Sequence, residues 1–121
     1  MGWVRCGSVF MLLGVALGAF GAHGLKDVLS PEAKQTYQTA VLYQLVHGIG
    51  LLSVGWMSYL KTPSPLVRGA GWAFAVGILL FSGSLYAMTA TGIKKFGIIT
   101  PFGGLAFLIG WMFLAISAKG H

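Results

Sequence analysis

The sequence predicts an all-α integral membrane four-helix bundle, with both termini on the same side of the bilayer. Three observations carry that prediction. The 121 residues are 56% hydrophobic and 8% charged, with a mean hydropathy of +0.82, whereas soluble domains are about a quarter charged. Asp, Glu, Lys and Arg are absent from four stretches, 6–25, 35–60, 69–93 and 96–118. Each stretch reaches the about 20 residues a helix needs to cross a hydrocarbon core about 30 Å thick. The apolar runs also lack the two-residue alternation of a membrane β-barrel. A cytosolic enzyme and a disordered tail fit this composition poorly. So does a secreted disulfide scaffold, because Cys6 is alone and cannot close an intrachain bridge. The net charge of +6, eight Lys/Arg against Asp27 and Glu32, is scattered singly between apolar runs. That is flanking charge of a membrane protein rather than a nucleic-acid surface, and no nucleic-acid partner is expected.

The four helices are expected at about 4–25, 31–60, 66–92 and 96–119, within a single transmembrane domain, 1–121. In the first, Arg5, the apolar run after it and Ala19-Phe20-Gly21 imitate a signal peptide, but the segment is read as a retained span. Ser30 reads as the N-cap of the second helix and Pro31 as its first residue. Pro63 and Pro65 break the 61–68 connector, since neither suits a helix interior. Gly92-Ile93-Lys94-Lys95-Phe96-Gly97 reads as a tight turn joining the third helix to the fourth. Within the fourth, Pro101 is expected to leave the Gly97 carbonyl without its usual partner.

An even number of spans groups Arg5, Lys61, Arg68 and Lys119 at one end and Lys26, Lys34, Lys94 and Lys95 at the other. Lys and Arg in short loops set orientation, and here the count ties. Trp3, Trp56, Trp72 and Trp111 all fall towards the first end, as an interfacial belt would.

Helices in lipid associate through close approach of small residues and through interhelical hydrogen bonds. The 19 glycines suit that need. Gly14, Gly18 and Ala22 recur at four-residue steps as one packing face. Ala73 and Gly77, Gly83 and Ala87, and Ala106 and Gly110 repeat the spacing, and Gly103-Gly104 opens the fourth helix.

Polar residues in the wrong solvent are the more informative set. His47 lies three and four residues after Gln44 and Tyr43, hence on a shared helix face, and Tyr37 lies two turns before Gln44. The third helix contributes Ser82, Ser84 and Tyr86, the fourth begins at Thr100, and the first ends at His23. Depth counting puts all of them in one half of the membrane, and intramembrane polar groups of this kind are candidate functional groups. The competing reading is that they bond one another and fix helix register, with Ser82 and Ser84 returning to carbonyls of their own helix. Both acidic residues lie in a surface loop, so no intramembrane carboxylate can relay protons for His47. Serine with His47 would lack a third triad member. His23 and His47 differ in depth by roughly 15 Å at ~1.5 Å per residue, too far to share one haem. No catalytic residue, no metal motif and no cofactor are expected.

Gly18-Ala-Phe-Gly-Ala-His23-Gly, Tyr43-Gln44-x-x-His47, Phe81-Ser-Gly-Ser-Leu-Tyr86 and Thr100-Pro-x-Gly-Gly104 together resemble domain-of-unknown-function family 423, over essentially the whole chain and in order. The resemblance implies a small four-helix protein of the bacterial inner membrane. It implies no activity. The expectation is therefore a non-enzymatic structural or accessory subunit, or a homo-oligomer, contacting membrane lipids and either itself or a larger membrane complex. The alternative is a transporter, channel or small-ligand, lipid or quinone-binding protein that uses the polar cluster.

Overall fold

Two serines set the starts of two helices. The Ser30 hydroxyl accepts a hydrogen bond from the Ala33 amide at 3.1 Å, and the Ser64 hydroxyl accepts one from Val67 at 3.1 Å. A proline follows each serine in the first helical turn, where no amide hydrogen is required. The computed structural model describes residues 2–60 and 64–118. Its helices are α1 (Gly2–His23), α2 (Pro31–Leu60), α3 (Pro65–Thr91) and α4 (Thr100–Ser117). A π-helical turn, Ile78–Ser82, interrupts α3, and a 3₁₀ turn, Lys94–Ile98, precedes α4 and completes the fourth span. All four spans are long and apolar enough to cross a membrane, and among the described residues there is no strand.

The boundaries differ from expectation where the chain turns. α1 stops at His23 rather than 25 because the amides of Gly24 and Leu25 both fold back onto the Phe20 carbonyl, at 2.6 and 3.2 Å. α3 ends against Gly92, whose φ of 73° lies in the left-handed region that glycine enters freely. α4 starts later than residue 96 because Lys94–Ile98 winds more tightly. Pro101 therefore sits in the first turn of α4, and the Gly97 carbonyl, which Pro101 cannot reach with an amide hydrogen, belongs to the 3₁₀ turn before that helix. Residue 119 lies outside the described residues.

Consecutive helices run antiparallel and lock by placing side chains over glycines. A Cβ on Gly7 would meet the Gly48 carbonyl of α2 at 2.8 Å, and one on Gly14 would meet Leu45 at 2.7 Å. Between α3 and α4 the fit is reciprocal. Phe107 covers Gly77, Phe74 covers Gly110, Phe81 covers Gly103 and Phe113 covers Gly69. The core follows from this arrangement: Leu51 and Val54 of α2, Phe74 and Ile78 of α3 and Phe107 of α4 are all buried. α1 is the peripheral helix, with only Gly7 and Gly14 fully buried.

The expected packing residues divide accordingly. Gly14 and Gly18 face α2 and Gly103 faces α3, but Ala22 is exposed. The face of α1 continues through Gly21, under the Tyr37 ring, instead of through Ala22. Gly83 meets nothing within 4 Å, and Gly104 only grazes Phe81 at 3.9 Å; neither mediates a close approach.

Trp3 and Trp72 meet edge to face at one end of the bundle, 5.5 Å between centroids, and Trp56 is largely exposed beside Tyr59. Trp111 departs from the expected belt. Eleven residues into α4, about 16 Å from its start, it turns its indole nitrogen inward to His47.

Candidate functional site: a polar seam between the helices

α2 supplies the centre of the seam. Its Gln44 and His47 are both buried, but a three-residue step rotates them about 60° apart around the helix axis. They consequently face different neighbours. Gln44 looks towards α1 and α3: its amide nitrogen donates to the Phe10 carbonyl at 2.8 Å, and its oxygen accepts from the Tyr86 hydroxyl at 2.7 Å. One side chain thus ties three helices together. Tyr86 in turn meets the Tyr37 ring edge-on at 5.5 Å, and the Tyr37 hydroxyl donates to the Leu17 carbonyl of α1.

His47 looks towards α4. An indole N–H can only donate, so the 2.9 Å contact from Trp111 Nε1 makes His47 Nε2 the acceptor. The ring proton then sits on Nδ1, which donates to the Tyr43 carbonyl at 2.8 Å. The imidazole lies flat on Phe107, with centroids 3.5 Å apart and planes 9° from parallel, and the tilted Phe74 ring is a further neighbour at 5.5 Å. Both ring nitrogens are occupied, leaving neither for a metal or haem iron.

Two further ties complete the seam. Ser82, fully buried at the end of the π turn, donates across to the Ala40 carbonyl of α2 at 2.7 Å rather than to its own helix. Ser84 bonds both the Phe81 carbonyl, at 2.9 Å, and the Thr100 hydroxyl of α4. The nine residues singled out from sequence therefore separate into groups. Tyr37, Gln44 and Tyr86 form one connected patch, with Ser82 a single bond between α3 and α2. His47 belongs to an aromatic patch with Trp111, and Ser84 pairs with Thr100. Tyr43 turns its ring onto Phe81, 4.6 Å between centroids, and is 39% exposed, so its side chain lies outside the network. His23 is exposed at the end of α1, remote from the rest.

Sequence reasoning missed Trp111, Phe107 and the Phe10 carbonyl. Trp111 lies six residues from the end of α4, a position an interfacial anchor could also occupy, so its inward turn left no signal in the sequence. A carbonyl acceptor on a neighbouring helix leaves no trace in sequence. Among the described residues, no three His, Cys, Asp or Glu side chains gather to hold a metal ion.

The geometry can be set beside known proteins. A family model described as "Protein of unknown function (DUF423)" matches residues 17–104. The stretch contains every polar seam residue except the Phe10 carbonyl and Trp111. A UPF0382 membrane protein of Staphylococcus epidermidis is 45% identical over 115 residues, which cover 95% of this chain and 93% of the relative. The UPF0382 membrane protein YwdK of Bacillus subtilis is 42% identical over 116 residues, covering 96% and 94%. No solved structure matches the chain. With its four apolar helices and these whole-length relatives, the chain belongs to the DUF423 family of membrane proteins.

Proposed function

We propose that this protein is a non-enzymatic structural or accessory element of the bacterial inner membrane, which works as a rigid bundle in contact with copies of itself or with other membrane subunits. One observation supports this reading above the others. The polar groups a transporter or enzyme would turn towards its substrate are engaged with other helices: Gln44 with Phe10 and Tyr86, His47 with Trp111, Ser82 with Ala40 and Ser84 with Thr100. Buried polar side chains paired in this way fix helix register. A transport path would need such groups to line a wet cavity.

Reconstitution into liposomes tests the reading. Proton and potassium flux through protein-loaded vesicles is expected to equal that of protein-free vesicles. Flux above that background which His47→Ala or Gln44→Leu abolishes would overturn it in favour of transport. In lipid nanodiscs, native mass spectrometry is expected to find more than one copy per particle or a stoichiometric companion subunit after extraction from native membranes. A strict monomer with no companion would remove the accessory role.

A further inference from the structure

The polar seam leaves one built feature unused, a trough between α1 and α2 at the end of the bundle that carries Lys26 and Lys34. Its volume is about 470 Å³, within the about 300–1,000 Å³ typical of small-molecule sites. Gly18 and Ala22 of α1, with Val41 and Leu45 of α2, form its apolar walls, and Lys26 and Lys34 stand among its lining residues. The cause is local. Small residues on α1 leave little side-chain bulk beside α2 at Gly18 and Ala22, and buried Tyr37, bonded to the Leu17 carbonyl, forms a firm floor. The loop from Gly24 to Ser30 then places Lys26 among the lining residues. Neither acidic residue of the chain lines the trough.

An apolar slot in the hydrocarbon zone with two cations at its interfacial mouth is complementary to one kind of molecule: an amphipath with a chain and an anionic head. We propose that this trough binds an anionic phospholipid, one acyl chain lying along Gly18, Ala22, Val41 and Leu45 and the phosphate facing Lys26 and Lys34. Lysines near the membrane surface attract anionic headgroups, and chain burial in the trough would add selectivity that surface attraction alone lacks. Lys94 and Lys95, at the same end of the bundle, line no part of this trough and supply an internal comparison.

The test is native mass spectrometry of the full chain, released from nanodiscs of mixed phosphatidylglycerol and phosphatidylcholine. Phosphatidylglycerol is expected to be retained preferentially. Lys26→Gln with Lys34→Gln is expected to weaken its retention by about fivefold per lysine, whereas Lys94→Gln with Lys95→Gln leaves it within a factor of two or so, having removed equal charge. Ala22→Phe, which fills the trough from an exposed position and keeps both lysines, is expected to displace the lipid as well. Equal retention of the two lipids would overturn the proposal, as would equal losses from the two lysine pairs, which would mean general surface attraction. Displacement by millimolar inorganic phosphate would also overturn it, by revealing a bare anion site with no use for the chain. If Ala22→Phe does not fold, the comparison of lysine pairs still decides.

Discussion

Replacing Tyr86 by Phe removes one hydroxyl and leaves the ring in place against Tyr37. The lost contact is the 2.7 Å bond to Gln44 Oε1, a length in the favourable range for an O–H donor. Interhelical hydrogen bonds measured in membranes average about 0.6 kcal/mol and reach about 1.7. Tyr86→Phe should therefore destabilise the bundle by about 1 kcal/mol. Gln44→Leu removes that bond and the 2.8 Å bond to the Phe10 carbonyl together, and it leaves the Tyr86 hydroxyl unpaired, so about 2 kcal/mol is expected. In the double variant the shared bond is counted once. A double-mutant cycle should therefore return a coupling of about 0.6–1.7 kcal/mol. The assay is reversible unfolding of the purified protein in detergent micelles, titrated with dodecyl sulfate and followed by circular dichroism. A coupling indistinguishable from zero, with Tyr86→Phe as stable as the parent, would refute the bonding scheme drawn through Gln44.

Three further outcomes are expected from the same assay. Gly103→Ala drives a methyl group into the Phe81 backbone and should cost about 1–3 kcal/mol as overpacking, whereas Gly83→Ala, which meets nothing within 4 Å, should be neutral or slightly stabilising; equal effects would mean that α3 and α4 do not approach as described. Trp111→Phe leaves His47 Nε2 without its donor and should cost about 1 kcal/mol, and after His47→Leu the same change should have a smaller effect; strict additivity would break the proposed pair. Ser30→Ala and Ser64→Ala each remove a cap and should cost about 0.5–2 kcal/mol, with faster amide exchange confined to the first turns of α2 and α3; unchanged exchange at Ala33 and Val67 would contradict the capping geometry.

Much of the architecture was legible because a bilayer imposes a coarse rule: charge-free runs of sufficient length become spans. Ser30 and Pro31 fixed one boundary because an N-cap and a first-turn proline have direct mechanical meaning. The π turn at Ile78–Ser82 was not legible, since no proline or charged residue marks Ile-Leu-Leu-Phe-Ser. The site was legible as an inventory of polar residues but not as a set of pairings. Gln44 and His47 share a broad face by spacing, but the position of the neighbouring helices decides which of them meets Tyr86 and which meets Trp111. On α1, four-residue steps pointed to Ala22, whereas the curved contact with α2 passes through Gly21 and its neighbour Tyr37. Spacing alone does not record that drift.

The reciprocal phenylalanine–glycine contacts between α3 and α4 have a consequence for assembly. Phe-x-x-Gly occurs once in each helix, at Phe74–Gly77 and Phe107–Gly110, and the helices meet head to tail so that each ring finds the other's gap. Sliding one helix past the other by three residues, about 4.5 Å, would set Phe74 against Phe107 or Phe113 and Gly77 against Gly104 or Gly110. Every such slip pairs bulge with bulge and hollow with hollow. A hairpin marked in this way carries its own ruler, and two greasy rods whose meeting residues bear no charge can still settle at a single height.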